Sequence, residues 1–213
     1  MGHSCYWYWM AGMLDAPPGI SLPAPLAYFD YPEVAEVQAK LFGVAFRTRA
    51  VTNQIQSIKE RLKDELYRFI ERFQLEVLVP ENILAIPTHV PLGLAMTEVI
   101  AQTALPVIAH HHDFAWERER FTLNAVNDYL QAAFPPLLYG MEHVVINSFR
   151  AKSHTARHDP FPGMIGKTHS ATALAREAAC GVTRCSSPPP SISSTRWPPP
   201  KPWDGSSPNS STT

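Results

Sequence analysis

The run His110-His111-His112-Asp113 is the densest set of chemistry-bearing side chains in the sequence. It follows a short apolar stretch, Val107 to Ala109, and precedes Phe114, Trp116, Glu117 and Arg118. Imidazoles have an unperturbed pKa of ~6.5, so near neutrality they can donate or accept a proton, and they are common metal ligands. In open α/β sheets, ligands bind in the crevice outside the carboxyl ends of the strands. A buried strand ending in these residues would place them where such folds keep their chemistry. A histidine-rich surface loop, or an aspartate that caps the next helix, accounts for the same residues equally well.

The three histidines are adjacent, not at the i, i+4 spacing that puts two metal ligands on one helix face. At a strand end, alternate residues point to opposite faces, so at most His110 and His112 share a side while Asp113 leaves on the loop. No metal site is expected on that pattern. Glu81 and Asn82 close a neighbouring apolar run and could reach the same crevice. A turn in which Asn82 bonds local backbone explains them as well. Glu117-Arg118-Glu119-Arg120 reads as a solvated first helical turn, with Arg118 as an alternative anion ligand. Asn147 and Ser148 end a further apolar run, where short polar groups face a ligand or cap a helix.

The elements that must position these residues follow from periodicity. Val51, Ile55, Ile58, Leu62, Leu66, Phe69 and Phe73 recur at steps of three and four. They predict one amphipathic helix from about Arg47 to Phe73, with Lys59, Glu60, Arg61, Lys63 and Asp64 as its solvated face. A strand over Leu75 to Pro80, a helix over Leu92 to Thr103 and a strand over Val107 to His110 come next. A helix from about Trp116 to Ala133 and a strand over His143 to Asn147 complete the series. Strands alternating with helices of this length indicate βαβ units and a parallel sheet. The near-continuous apolar runs suggest burial on both faces. Val51, Ile55, Ile58, Leu62, Leu66, Leu78, Val107, Ile108, Val145 and Ile146 are the expected core. Before this region, a short helix from Pro32 to Leu41 and a short strand within Ile20 to Leu26 are the only elements suggested.

Composition limits the partners. The formal net charge of the 213 residues is -1 and only 17% are charged, which gives no electrostatic footprint for nucleic acid. No apolar run reaches the ~18 residues needed to suggest a membrane span. The N-terminus has no positive region of the kind a signal peptide carries, and Tyr6 stands where a myristoylation motif wants Ser or Thr. Three cysteines at Cys5, Cys180 and Cys185 match no zinc or redox spacing, so a reducing, cytoplasmic setting is the default expectation. No phosphate-binding P-loop, G-x-G-x-x-G or G-x-S-x-G occurs, which argues against simple nucleotide enzymes and α/β-hydrolases. The 21 prolines are roughly twice the usual ~5% share and gather at the two ends. Residues 1–27 read as an irregular segment, and 149–213 as a Pro/Ser/Thr-rich tail too poor in apolar residues to offset the entropy of ordering.

The segments Glu81-Asn82-Ile-Leu-Ala-Ile-Pro87, Pro91-Leu-Gly-Leu-Ala95, Val107-Ile-Ala-His-His-His-Asp-Phe-Ala-Trp-Glu-Arg-Glu-Arg-Phe121 and His143-Val-Val-Ile-Asn-Ser148 together resemble the N-terminal half of a bacterial family 4 glycosyltransferase. The resemblance covers roughly 28–148, and its most specific part is the histidine–aspartate block. It implies the GT-B architecture, in which two Rossmann-like domains face each other across a cleft. It also implies a retaining transfer of a sugar from a nucleotide-sugar donor to an acceptor. The N-terminal domain of that family mainly shapes the acceptor side, and a histidine just before the strand-end Asp faces the cleft. The resemblance places that role on His112, next to Asp113, as the expected catalytic pair. Glu81, Asn82, His110, Arg118, Asn147 and Ser148 are the expected substrate-binding residues, with no metal and no further cofactor.

The family's first strand and glycine-rich loop are not recognisable before residue 28, nor is its donor-binding C-terminal domain after Ser148. The expectation is therefore an α/β chain holding an incomplete Rossmann-like parallel sheet, half of a GT-B fold, between disordered ends. Its tail would be out of frame or misjoined, and the chain inactive alone. The alternatives are a non-catalytic sugar- or anion-binding module and a truncated product with no function.

Overall fold

The computed structural model describes residues 4–9 and 19–146. The order is β1 (Trp7–Trp9), β2 (Ser21–Pro23), α1 (Pro32–Gln38), α2 (Arg49–Phe73), α3 (Val90–Thr103), β3 (Val107–His111), α4 (Asn127–Ala133) and β4 (Met141–Val145). This is a mixed α/β arrangement with short parallel pairings, consistent with partial Rossmann-like layering.

The long helix α2 is set by its apolar stripe and its two ends. The Thr48 side chain accepts the Val51 N–H at the start, and Gln74 closes the end in the left-handed region with φ 49. Val51, Ile55, Ile58, Leu62, Leu66 and Phe69 are buried along one face. That face packs against α3, whose residues Val90 to Met96, Val99 and Ile100 leave little surface uncovered. The solvated face expected for α2 is not fully solvated. Lys59 is buried, and Lys59 Nζ and Lys63 Nζ reach the two Glu98 carboxylate oxygens at 2.5 and 2.7 Å, tying α2 to α3. Glu60 on α2 also reaches Lys59 at 3.0 Å, but Glu98 lies on another helix, so the α2 pattern alone could not reveal that tie.

β3 pairs in parallel with β4, from Val107 opposite Met141 to His111 opposite Val145. On its other side runs an extended segment joined by isolated bridges, Leu78 to Val107 and Glu81 to His110. The Leu78 N–H donates to the Pro106 carbonyl at 3.0 Å and the Asn82 N–H to the His110 carbonyl at 2.7 Å. Between those two rungs falls Pro80, which has no N–H to give. Pro80 thus explains why the strand expected over Leu75 to Pro80 is a broken ladder, and pairing continues past it to Asn82. β4 also begins earlier than expected, at Met141, directly after Gly140 turns the chain with φ 79.

The helix expected from Trp116 to Ala133 is interrupted. Short 3-10 turns cover Ala115–Glu117 and Glu119–Phe121, and only Asn127–Ala133 is α-helical. Arg118, between the two turns, is extended and tied to Asp113. Farther on, the Asn124 side chain accepts the Val126 N–H at 3.0 Å and donates to the Phe121 carbonyl, offering the backbone an alternative to helix. The Gly43 and Ala125 N–H groups bond the Leu123 and Leu41 carbonyls, so 41–43 recruits this stretch as an extended partner.

Burial along β3 alternates. Val107, Ala109 and His111 are buried on one face, Val107 and Ala109 against the helix layer and His111 beside Phe114 and His143, while Ile108 and His110 are only partly covered. Of the expected core, Val51, Ile55, Ile58, Leu62, Leu66, Leu78, Val107 and Val145 are buried. Ile108 is half-buried and Ile146 is 48% exposed, because the second face of the sheet is covered unevenly: Val77 and Val79 are exposed there and Val144 is buried. Near the N-terminus, β1 and β2 form a parallel pair where only an irregular segment and one short strand were expected. Tyr6 stacks on Phe73 and the Tyr8 hydroxyl donates to Glu65, so this pair leans on α2. Asn147, Ser148 and the tail from residue 149 lie outside the described residues.

Candidate functional site

Two neighbouring strand ends assemble the site. The bridge between Glu81 and His110 puts those two residues on one face of the sheet. Alternation turns His111 to the opposite face, where it is fully buried and its Nε2 lies 2.8 Å from His143 Nδ1. His112, one residue past β3, returns to the His110 side. The His110 and His112 rings meet edge to face with centroids 5.1 Å apart.

The Glu81 carboxylate closes the group. Its oxygens lie 2.8 and 2.9 Å from His110 Nδ1, and Oε1 lies 2.6 Å from His112 Nε2. The Glu81 and His112 side chains are each 50% exposed, so the group opens to solvent at the rim. Two imidazole nitrogens and a carboxylate oxygen thus lie within 4.8 Å of one another, close enough for one cation to bridge.

Asn82 fixes the loop behind this group. Its backbone is left-handed, with φ 56, a conformation that asparagine tolerates better than most residues. That turn sends its side chain across the end of β3. Oδ1 accepts the His112 N–H at 3.0 Å, and Nδ2 reaches Asp113 Oδ1 at 3.5 Å.

Asp113 does not face the rim as His112 does. Its side chain is 8% exposed and accepts from Arg118 through both Nε and Nη2. Arg118, half exposed, carries the positive charge outward. The neighbouring turn is pinned by Glu117, whose Oε2 accepts the Phe114 N–H at 2.8 Å, and by the Phe114–Trp116 stack at 4.5 Å.

Of the residues singled out in the sequence, the structure brings together Glu81, Asn82, His110, His112, Asp113 and Arg118, and does not describe Asn147 and Ser148. Sequence reasoning missed the buried His111–His143 contact. The parallel register that aligns Ala109 with His143 is the only signal for it. It also missed His89, which accepts the Leu92 N–H through Nδ1 at the start of α3 while its Nε2 meets the Leu26 carbonyl at 2.9 Å. Burial pushes that imidazole down to about 4.

Comparison with characterised proteins bears on what this rim belongs to. Over 146 residues the chain is 30% identical to the mannosylglucosylglycerate synthase of Petrotoga mobilis, covering 66% of this chain and 32% of that protein. Over 145 residues it is 27% identical to the mannosylglucosylglycerate synthase of Thermotoga maritima, covering 66% and 33% respectively. The chain is related to a glycosyltransferase. It spans about a third of the length of these curated relatives. No family model matches the sequence. No solved structure matches it either. In this glycosyltransferase-related chain, no helix among the described residues is long and apolar enough to cross a membrane.

Proposed function

We propose that this chain is the acceptor-side portion of a retaining family 4 glycosyltransferase with GT-B architecture. The intact parent would move a sugar from a nucleotide-sugar donor to an acceptor hydroxyl. The relatives' name supports mannose as the sugar and glucosylglycerate as the acceptor. The observation that carries the reading is His112, half exposed on the carboxyl rim of a parallel sheet within a chain similar to two such synthases.

The geometry suggests a division of labour. With His112 Nε2–H donating to Glu81, Nδ1 is left as the acceptor atom for a substrate hydroxyl. His110 donates to the same carboxylate from Nδ1 and stiffens it. Asp113 then acts as a positioning residue, holding Arg118 so that its guanidinium can meet an anionic part of a ligand. Asn82 keeps the loop in register with Glu81. The diphosphate of the departing nucleotide needs preorganised cationic or backbone donors. Among the described residues, Arg118 is the half-exposed cation beside His112, and the role proposed for this chain is acceptor binding.

Calorimetric titration of the chain with glucosylglycerate, and separately with a nucleotide-activated mannose, tests the reading. Acceptor binding that His112→Ala weakens, with little nucleotide binding, is the expected result. Nucleotide binding without acceptor binding would overturn it.

A further inference from the structure

We propose that Glu81, His110 and His112 form a binding site for a divalent first-row transition cation, zinc or a close neighbour. Three donors from two adjacent strand ends converge within 4.8 Å on one side of the sheet. Zinc binds imidazole nitrogen and carboxylate oxygen at ~2.0–2.2 Å. Adjacent ligand atoms around one ion therefore stand about 3 Å apart, close to the 2.6 and 2.8 Å at which Glu81 Oε1 already meets the two rings. Bringing in the ion asks the half-exposed Glu81 and His112 side chains to shift outward around the more covered His110 ring.

The ligand chemistry narrows the ion. Imidazole suits zinc, copper, iron and nickel, whereas magnesium and calcium prefer all-oxygen sites. Two nitrogens to one oxygen favours the first group. Each ring can bind the ion through the nitrogen that now faces Glu81 when the other ring nitrogen carries the proton. Preorganisation comes from Asn82, which bonds His110 through its backbone and His112 through its side chain. With three protein ligands at an exposed rim, further coordination positions open to solvent, as in catalytic rather than structural zinc sites. Binding the ion through His112 Nε2 leaves the ring proton on Nδ1, so the metal-bound form is an alternative to the Nδ1 acceptor role proposed above, and the ion can be measured without any sugar.

The experiment is calorimetric titration of the full chain with zinc chloride, after its thiols have been alkylated so that exposed Cys5 cannot compete. Magnesium chloride serves as the comparison, and Glu81→Gln and His112→Ala are titrated in parallel. Unchanged circular dichroism in zinc-free buffer establishes that both variants are folded. The expected result is one tight zinc equivalent, no comparable magnesium binding, and a loss of about tenfold or more in both variants, a scale that even outer-sphere changes reach at metal sites. Absence of zinc binding, or unchanged zinc affinity in either variant, overturns the proposal.

Discussion

The Asn82 side chain accepts the backbone N–H of His112 at 3.0 Å, so the residue that ends one extended segment fixes the exit of the next. Its φ of 56 is what aims it there. The two contributions separate by substitution. Asn82→Gly keeps the left-handed backbone and loses the side-chain bond, whereas Asn82→Ala loses both. Asn82→Ala should be the less stable by about 1 kcal/mol, the cost of left-handed backbone for a residue with a Cβ. Urea denaturation of the two variants measures the difference, and equal midpoints would show that the turn is not strained.

Gly93 in α3 should resist even a methyl group. A Cβ there would lie 2.1 Å from Phe134 Cζ and 2.6 Å from Cε1. Overpacking of this kind costs about 1–3 kcal/mol. Gly93→Ala should lower stability by that amount, and adding Phe134→Leu should recover part of the loss. A double variant no better than the single one would mean that Phe134 is not the obstacle.

Stability should fall as the solution is acidified through the range set by His89. The folded imidazole is held down to about 4 from an ordinary 6.5 by burial. Between these values the unfolded chain binds more protons than the folded one, so stability drops as pH falls. The contribution is intact above pH 6.5 and gone below about 4, a loss on the order of 3 kcal/mol. His89→Asn, which retains a capping side chain, should flatten this part of the stability–pH curve. An unaltered slope would assign the acid sensitivity elsewhere.

The uneven cover of the sheet makes two isoleucines unequal. Ile55, fully buried in the α2–α3 layer, should cost about 2–5 kcal/mol when replaced by alanine. Ile108, half-buried on the other face, should cost clearly less. Equal losses would indicate that both faces of β3 are packed alike.

What could be read from the sequence follows the range of each interaction. The α2 stripe from Val51 to Phe69 and the apolar start of β3 declare themselves through local period, and so does the shared side of His110 and His112. Glu81 could be named as a neighbour, but its bond to both rings depends on a register across β3 that Pro80 interrupts. The break after Arg118 was hidden because it depends on Asp113 and on the pairing of 41–43 with 123–125. Lys59 looked like a surface charge because Glu98, which neutralises it, is 39 positions away.

The alternation in β3 also limits how this stretch of gene can change. Because side chains alternate with a period of two, one inserted or deleted codon between Val107 and His110 would reverse every one that follows. His110 and His112 would be driven into the packed layer that His111 shares with His143 and Phe114, and His111 would emerge beside Glu81. Single-base substitutions can be absorbed one at a time, but a one-codon length change removes the site and the packing together. Lineages descending from this gene should therefore keep the length of 107–113 even where its letters drift.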